Sequence, residues 1–224
     1  DIRSDFILAP YLDIIYRANQ DNLIDLVARK LQSGQYRPEL PITASVPKSG
    51  LLTRPGSILW PVDRMVYQGI IQHILPTIEG ALDRNRSFSH LPADNAEHLF
   101  RPSHESWSDF QEAVRGICEE SQYVLRADIA NYFDTIPQHT LINSLDSTGC
   151  QREIVKLLQE VLLAFRERRS QGIIQGVYPS DVLGNFYLTD FDAKCELGGY
   201  RSARYVDDIY VGFEDLTEGR RFLV

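Results

Sequence analysis

Two neighbouring carboxylates, Asp207 and Asp208, stand inside the string Tyr205-Val206-Asp207-Asp208-Ile209-Tyr210. Apolar residues flank the pair, so ARYVDDIYVGF reads as strand, two-residue turn, strand. Adjacent carboxylates repel each other, and a divalent cation is one way to offset that repulsion. A plain hairpin turn is the other reading, because Asp tolerates the left-handed geometry such turns need. A third carboxylate, Asp128, ends the apolar run YVLRAD. Asp is depleted from strands, so one at a strand end either caps the next helix or binds something. If its strand pairs beside the 205–210 hairpin, Asp128 and Asp207 converge. Carboxylates so gathered can hold two hard cations roughly 3.5–4 Å apart, which stabilises the attacking and leaving oxygens of in-line phosphoryl transfer.

Gln175-Gly176-Val177-Tyr178-Pro179-Ser180-Asp181 is the next candidate. Gly176 and Pro179 mark a tight turn, and Ser180 or Asp181 suits the N-cap of a following helix, DVLGNFYL. A structural turn accounts for the string; a Gln ahead of a helix N-terminus also suits contact with a nucleotide's sugar or base.

These residues need a sheet and supports. QYVLRADIANYF (122–133) is rich in β-formers, HTLINSL forms helix, and REIVKLLQEVLLAF (152–165) is strongly amphipathic. With the hairpin, the order is strand, helix, helix, hairpin. The simplest packing is α+β, an antiparallel sheet with helices on one face. Upstream, Leu12, Ile15, Leu23, Ile24, Leu26, Val27 and Leu31 predict one or two helices over 11–33. Pro38, Pro41, Pro47, Pro55 and Pro61 predict loops and short edge strands. Asp63 is placed to cap a helix with Val66, Ile70, Ile74 and Ile78 on one face, ending near Leu82. Residues 84–106 are polar and read as loop.

A chain of 224 residues, 43% hydrophobic and 24% charged, can bury a substantial core, which excludes disorder and low complexity. No apolar run approaches the ~18 residues of a membrane span. Cys118, Cys150 and Cys195 are scattered without CxxC spacing, which predicts reduced thiols and a cytoplasmic setting. The net charge of -8 argues against a passive nucleic-acid coat, whose partner's phosphates demand a basic surface. His73, His90, His98, His104 and His139 lack metal-ligand spacing. The sequence begins at Asp1 and its only methionine is Met65, so it is expected to be a piece of a longer product.

The strand-end Asp with an aromatic five residues on, the QGxxxS…LxN loop and helix, and the YVDD hairpin together resemble the successive palm motifs of reverse transcriptases. PKSGLLTRPGSILWPVDRMVYQ (47–68) is similar to the fingers segment of the bacterial enzymes, and ILPTIEGALDRNRSFS (74–89) to the element after it. The resemblance implies a polymerase right-hand fold with fingers over residues 1–121 and a palm over 122–224. The helix at about 63–82 would pack toward the palm, and the thumb would lie outside the sequence. It implies an RNA-directed DNA polymerase that adds dNTPs to a primer hydroxyl with two Mg²⁺ ions, or Mn²⁺. Asp128, Asp207 and Asp208 would be its catalytic carboxylates and metal ligands, with the Ile129 backbone carbonyl joining them. Phe133 matches the aromatic gate that excludes a ribose 2′-OH by clash. Gln175 matches the glutamine lining the nucleotide pocket. The Asn131 and Tyr132 N–H groups would face the triphosphate, and Lys48 and Arg54 would close on its phosphates. The implied partners are dNTPs and an RNA or DNA template-primer or a protein primer, without a membrane; a homo-oligomer is compatible.

The departures select within the family. Intron maturases usually show PQG and SPLL, where IIQG and PSDVL stand here. RNA-dependent RNA polymerases prefer GDD and a polar gate residue, in place of Val206 and Phe133, and the GG[DE]EF of palm-type cyclases is absent. PSDVLGNFYL is most similar to the abortive-infection and related phage-defence reverse transcriptases, some of which work without a template. The competing readings are an intron- or retron-type enzyme and a non-catalytic nucleic-acid-binding or assembly module that keeps the fold.

Overall fold

The computed structural model describes residues 10–48, 52–93 and 99–223; parts of the expectations above that touch 1–9, 49–51, 94–98 and 224 lie outside the described residues. Helices α1 (Pro10–Ala18) and α2 (Gln20–Gln32) precede strands β1 (Ile42–Pro47) and β2 (Thr53–Ile58), then α3 (Pro61–Ala81) and α4 (Ser103–Glu120). Strand β3 (Tyr123–Asp128) leads into α5 (Tyr132–Thr135), α6 (Gln138–Ser147), α7 (Arg152–Phe165), α8 (Tyr178–Tyr187) and α9 (Thr189–Leu197). The order closes with β4 (Ser202–Tyr205), β5 (Asp208–Phe213) and α10 (Leu216–Phe222). Two compact units share the chain: Asp1–Gly80 with Phe133–Leu183, and Ala81–Tyr132 with Gly184–Val224.

The first unit is built on helices. α7 buries Val155, Leu158, Val161, Leu162 and Phe165, the stripe of an amphipathic helix, and α6 adds Leu141, Ile142 and Leu145. α3 buries Val66, Ile70, Ile74 and Ile78 as their spacing predicts, and its Tyr67 ring meets Phe165 edge-on at 5.6 Å. Each such aliphatic side chain contributes ~1.5–3 kcal/mol relative to exposure. α3 starts at Pro61 rather than being capped by Asp63, because Pro suits the first helical position, whose N–H needs no partner. Asp63 lies buried in the first turn and accepts from the Tyr36 hydroxyl (2.8 Å) and the Glu39 N–H (3.1 Å). Burial pushes its carboxyl above the usual range. The proline-rich stretch forms the short antiparallel pair β1–β2, with Ile42 opposite Ile58.

The second unit holds an antiparallel sheet of order β3-β5-β4. Successive side chains alternate between faces. On one face Ala203, Tyr205 and Tyr210 pack under Phe110 and Ile117 of α4. On the other, Ile209, Val211 and Phe213 gather Leu125, Ala127, Phe191 and Phe222. The antiparallel sheet of an α+β fold is thus as expected, but helical residues cover both faces rather than one, because Tyr210 of central β5 packs against α4 while Ile209, Val211 and Phe213 form an apolar layer on the other side. α4 comes close at Gly212, where a Cβ would overlap the Ser121 side chain and press on Ile117. α4 also begins inside the stretch read as loop. The loop before it is held by Arg84, which donates to the carbonyls of Ser87 (3.2 Å), Ser89 (2.9 Å) and His90 (3.1 Å). Among the described residues no helix is long and apolar enough to cross a membrane. Cys118, Cys150 and Cys195 are free thiols.

His90 adopts a left-handed backbone (φ 52°) and encloses its Nδ1. Burial, helped by the Arg84 charge, lowers its pKa to about 4. The unfolded chain takes up this proton near pH ~6.5, the folded chain only near 4. This contribution to stability is therefore complete above about pH 6.5 and is lost as pH falls toward 4, at up to ~1.4 kcal/mol per pH unit. His90→Asn keeps a residue that tolerates left-handed backbone. We expect it to flatten the dependence of melting temperature on pH in that window; an unchanged slope would show that other groups set it.

Candidate active site

Asp128 ends β3 and Asp208 begins β5, and the two are direct cross-strand partners. Directly opposed residues of an antiparallel pair share a face, with Cβ atoms roughly 4.5–5.5 Å apart. Tyr205 is also opposite Asp208, so the hairpin turn consists of Val206 and Asp207. Val206, not an Asp, takes the left-handed conformation (φ 56°). Positive φ at the first central residue alone is the pattern of a II′ turn, which favours Gly there. A β-branched side chain in this position stores strain of ~1–3 kcal/mol. Tolerance of left-handed geometry therefore does not explain the acidic pair. Asp207 completes the turn, and Asp208 is a ladder residue.

Asp128 is exposed, and Asp207 and Asp208 are half-buried. Arg126 Nη2 lies 4.0 Å from Asp208 Oδ1, with its guanidinium 5.7 Å over the Tyr210 ring. Both partners reach solvent, so the pair is weak. A cleft of about 420 Å³ opens here between α4 and the sheet, lined by Trp107, Phe110, Arg115, Arg126, Asp208 and Tyr210. Three hard oxygen donors suit Mg²⁺ or Mn²⁺ in kind. Among the described residues, however, no three Asp, Glu, His or Cys side chains are gathered into a ligand set.

The other predicted residues divide between the units. Ile129 packs with Ile209, Val211 and Phe213, and exposed Asn131 turns the chain out of β3 with φ 52°. Tyr132 is buried and its hydroxyl donates to the Gly184 carbonyl at 2.5 Å; burial, and next the opposing pull of Arg204, act on that hydroxyl, with a net upward push. These belong with the three carboxylates in the second unit. Lys48, Arg54, Phe133 and Gln175 belong to the first. Phe133 is 6% exposed and its carbonyl accepts from the Ile173 N–H (2.8 Å). The Gln175 carbonyl accepts from the Ser57 N–H (3.1 Å), which ties the glutamine turn to β2. Lys48 is exposed just past β1, its N–H donating to the Leu52 carbonyl (2.8 Å); half-buried Arg54 lies on β2 opposite Val46.

Trp107, Arg126 and Arg204 carry no assignment from the sequence alone. Trp107, Phe110, Val114 and Ile117 do recur at helical spacing, and Arg204 is a charge at an inward position of an apolar strand. Either signal was available.

A family profile described as reverse transcriptase (RNA-dependent DNA polymerase) matches residues 46–224. The chain belongs to the reverse transcriptase family. Family membership brings with it the polymerase-type α+β fold to which the motifs pointed. This reverse transcriptase chain is 26% identical over 176 residues to Protein YkfC of Escherichia coli (strain K12), covering 75% of the chain and 44% of that protein. Chains in two solved structures, a partial Cas6-RT-Cas1–Cas2 complex and a Cas6-RT-Cas1–Cas2 complex, match 90% of it at 19% identity and a TM-score of 0.46. The match covers 34% and 22% of those chains, so this chain spans less than half the length of each of these relatives.

The turn geometry makes one energetic prediction. Val206→Gly removes a strained side chain, and the extra freedom of Gly in the unfolded chain offsets part of the gain. The net expectation is stabilisation by about 1 kcal/mol, read as a higher denaturant midpoint at unchanged slope. A lower midpoint would mean that Val206 packing outweighs its strain.

Proposed function

We propose that this chain is the catalytic part of a reverse transcriptase-type DNA polymerase that adds dNTPs to a primer hydroxyl. The observation that carries the proposal is Asp128 directly opposite Asp208, with Asp207 in the adjoining turn, in a chain of this family. The anatomical division, fingers over 1–121 and palm over 122–224, belongs to the same reading.

In the reaction the primer 3′-oxygen bonds to the α-phosphorus, the α–β phosphoanhydride bond breaks, and pyrophosphate leaves as the hydroxyl proton is lost. Asp128, Asp207 and Asp208, with the Ile129 carbonyl, would hold Mg²⁺ or Mn²⁺, whose bound charge offsets that on the attacking and leaving oxygens. The left-handed turn at Asn131 presents the N–H groups of Asn131 and Tyr132 to the triphosphate, and the anchored Tyr132 hydroxyl steadies that turn. Lys48 and Arg54 bind the phosphates, Gln175 borders the nucleotide, and the Phe133 ring leaves no room for a 2′-hydroxyl. The PSDVLGNFYL string supports a phage-defence role of the abortive-infection kind, and the scattered cysteines support a cytoplasmic setting. The partners are dNTPs and an RNA or DNA template-primer or a protein primer.

The full-length protein with Mg²⁺ is expected to incorporate dNTPs, and the Asp207→Ala plus Asp208→Ala variant to lose at least roughly 100-fold. Equal incorporation by the two would sink the assignment. Phe133→Ala is expected to raise ribonucleotide use relative to dNTP use by about 10- to 200-fold. Because the ring is buried, the same change costs ~3–5 kcal/mol of stability, so discrimination is compared per folded molecule. Unchanged selectivity removes the gate role.

A further inference from the structure

Arg204 lies in β4, three residues before Asp207, and is 1% exposed. Its Nε donates to Asp192 Oδ1 (2.8 Å) and Oδ2 (3.0 Å), and its Nη2 to Asp192 Oδ2 (2.6 Å) and the Asn185 carbonyl (2.9 Å). Its Nη1 donates to Asn185 Oδ1. That oxygen also accepts from the Ser87 hydroxyl (2.7 Å), while Asn185 Nδ2 donates to the Ser89 carbonyl (3.2 Å). The Arg204 backbone is tied too: its N–H donates to the Arg86 carbonyl (2.7 Å) and its carbonyl accepts from the Phe88 N–H (3.0 Å). All these residues belong to the second unit.

Burying an ion pair is a poor way to gain stability, since desolvation can exceed the attraction and apolar residues of similar volume often serve as well. Its best-attested use is to fix a register. The β4–β5 ladder needs such a device. It runs only from Ser202 opposite Val211 to Tyr205 opposite Asp208. At its end Val206 is strained, so relaxation would favour moving the turn. A slip of one residue sends every side chain to the opposite face. Here it would carry the Arg204 cation under Phe110, away from Asp192, and leave a buried carboxylate without its counter-charge.

We propose that Arg204 is a positioning residue that locks the β4–β5 register, so that Val206 and Asp207 form the turn and Asp207 is held beside Asp208, whose own place opposite Asp128 is set by the β3–β5 ladder. The proposal rests on the reading of these carboxylates as the catalytic set. Asn185 and Ser87 orient the guanidinium, which links segment 87–89, α8 and α9 to the hairpin.

The test compares the full-length wild type, Arg204→Lys, Ser87→Ala and the Asp207→Ala plus Asp208→Ala variant. Each is followed by thermal melting, by Mn²⁺ binding in an electron paramagnetic resonance titration, and by dNTP incorporation. Lys keeps the charge but not the planar fork. At equal folded fraction, Arg204→Lys is expected to lower kcat and Mn²⁺ affinity by about 10-fold or more while KM for dNTP stays within about 3-fold. Ser87→Ala, which deletes one hydrogen bond, shifts the same two quantities the same way by about 2- to 5-fold. Wild-type kcat and Mn²⁺ affinity in folded Arg204→Lys overturn the lock; if that variant unfolds, wild-type values in Ser87→Ala overturn it. A wild type that binds Mn²⁺ through Asp207 and Asp208 but incorporates no dNTP sinks the polymerase reading alone, because the affinity loss still tests the lock. Neither binding nor incorporation in the wild type sinks both.

Discussion

Side chains alternate faces along a strand, and in this chain one application of that rule organises chemistry and packing together. Pairing Asp128 with Asp208 puts both carboxylates on the face that carries Tyr205, Tyr210 and Ala203. The same pairing turns Ile209, Val211 and Phe213 the other way, into an aliphatic and aromatic layer with Leu125, Ala127 and Phe222. Burial of that layer is the larger energy, and it holds the strands in the pairing that sets the carboxylates side by side. A pair placed in this way needs no separate scaffold. It inherits its geometry from the core.

The two units reach their stability differently. The first relies on helices that bury mostly hydrocarbon, with Ser57, Asp63, Arg64, Gln138 and Ser180 as buried polar residues and Gln138 spanning from α6 to the Leu162 and Gly172 carbonyls. The second keeps a guanidinium, a carboxylate, a carboxamide and two serines in its interior, at Arg204, Asp192, Asn185, Ser87 and Ser89. Burial pushes the Asp192 carboxyl up, and the fork of Arg204 works against that push. Such an interior tolerates little rearrangement, since losing one partner strands another in a medium that solvates it poorly. Hydrocarbon repacks more readily.

How much of this the sequence discloses depends on whether one local rule governs each element. α7 spans residues 152–165 as its apolar stripe predicts, and the ARYVDDIYVGF string folds as a hairpin. α4 escapes because it starts among polar residues, Ser103 to Glu105, although Trp107, Phe110 and Ile117 mark its buried stripe. α9 is harder: it buries Asp192 and Cys195 and leaves Leu197 89% exposed, so no apolar stripe exists to be read. At the turn, Val206 takes the left-handed region against the local preference for Asp or Gly there. The opposition of Asp128 and Asp208 is legible from strand pattern alone. The roles of Lys48, Arg54, Phe133 and Gln175 are not, because they concern a bound nucleotide and rest on family likeness.

One consequence of the strand order concerns the outside of the sheet. β3 is an outer strand, and on its far side, among the described residues, its backbone N–H and C=O groups pair with no further strand. Tyr123 is 48% exposed there. An open, flat, apolar border of this kind recruits copies of itself into extended ribbons. Arg126 and Asp128 interrupt it with charge, two residues apart on one face. A second chain laid parallel and in register along β3 would set Arg126 beside Arg126 and Asp128 beside Asp128. The carboxylate at the heart of the candidate site thus also discourages parallel stacking along the border it occupies.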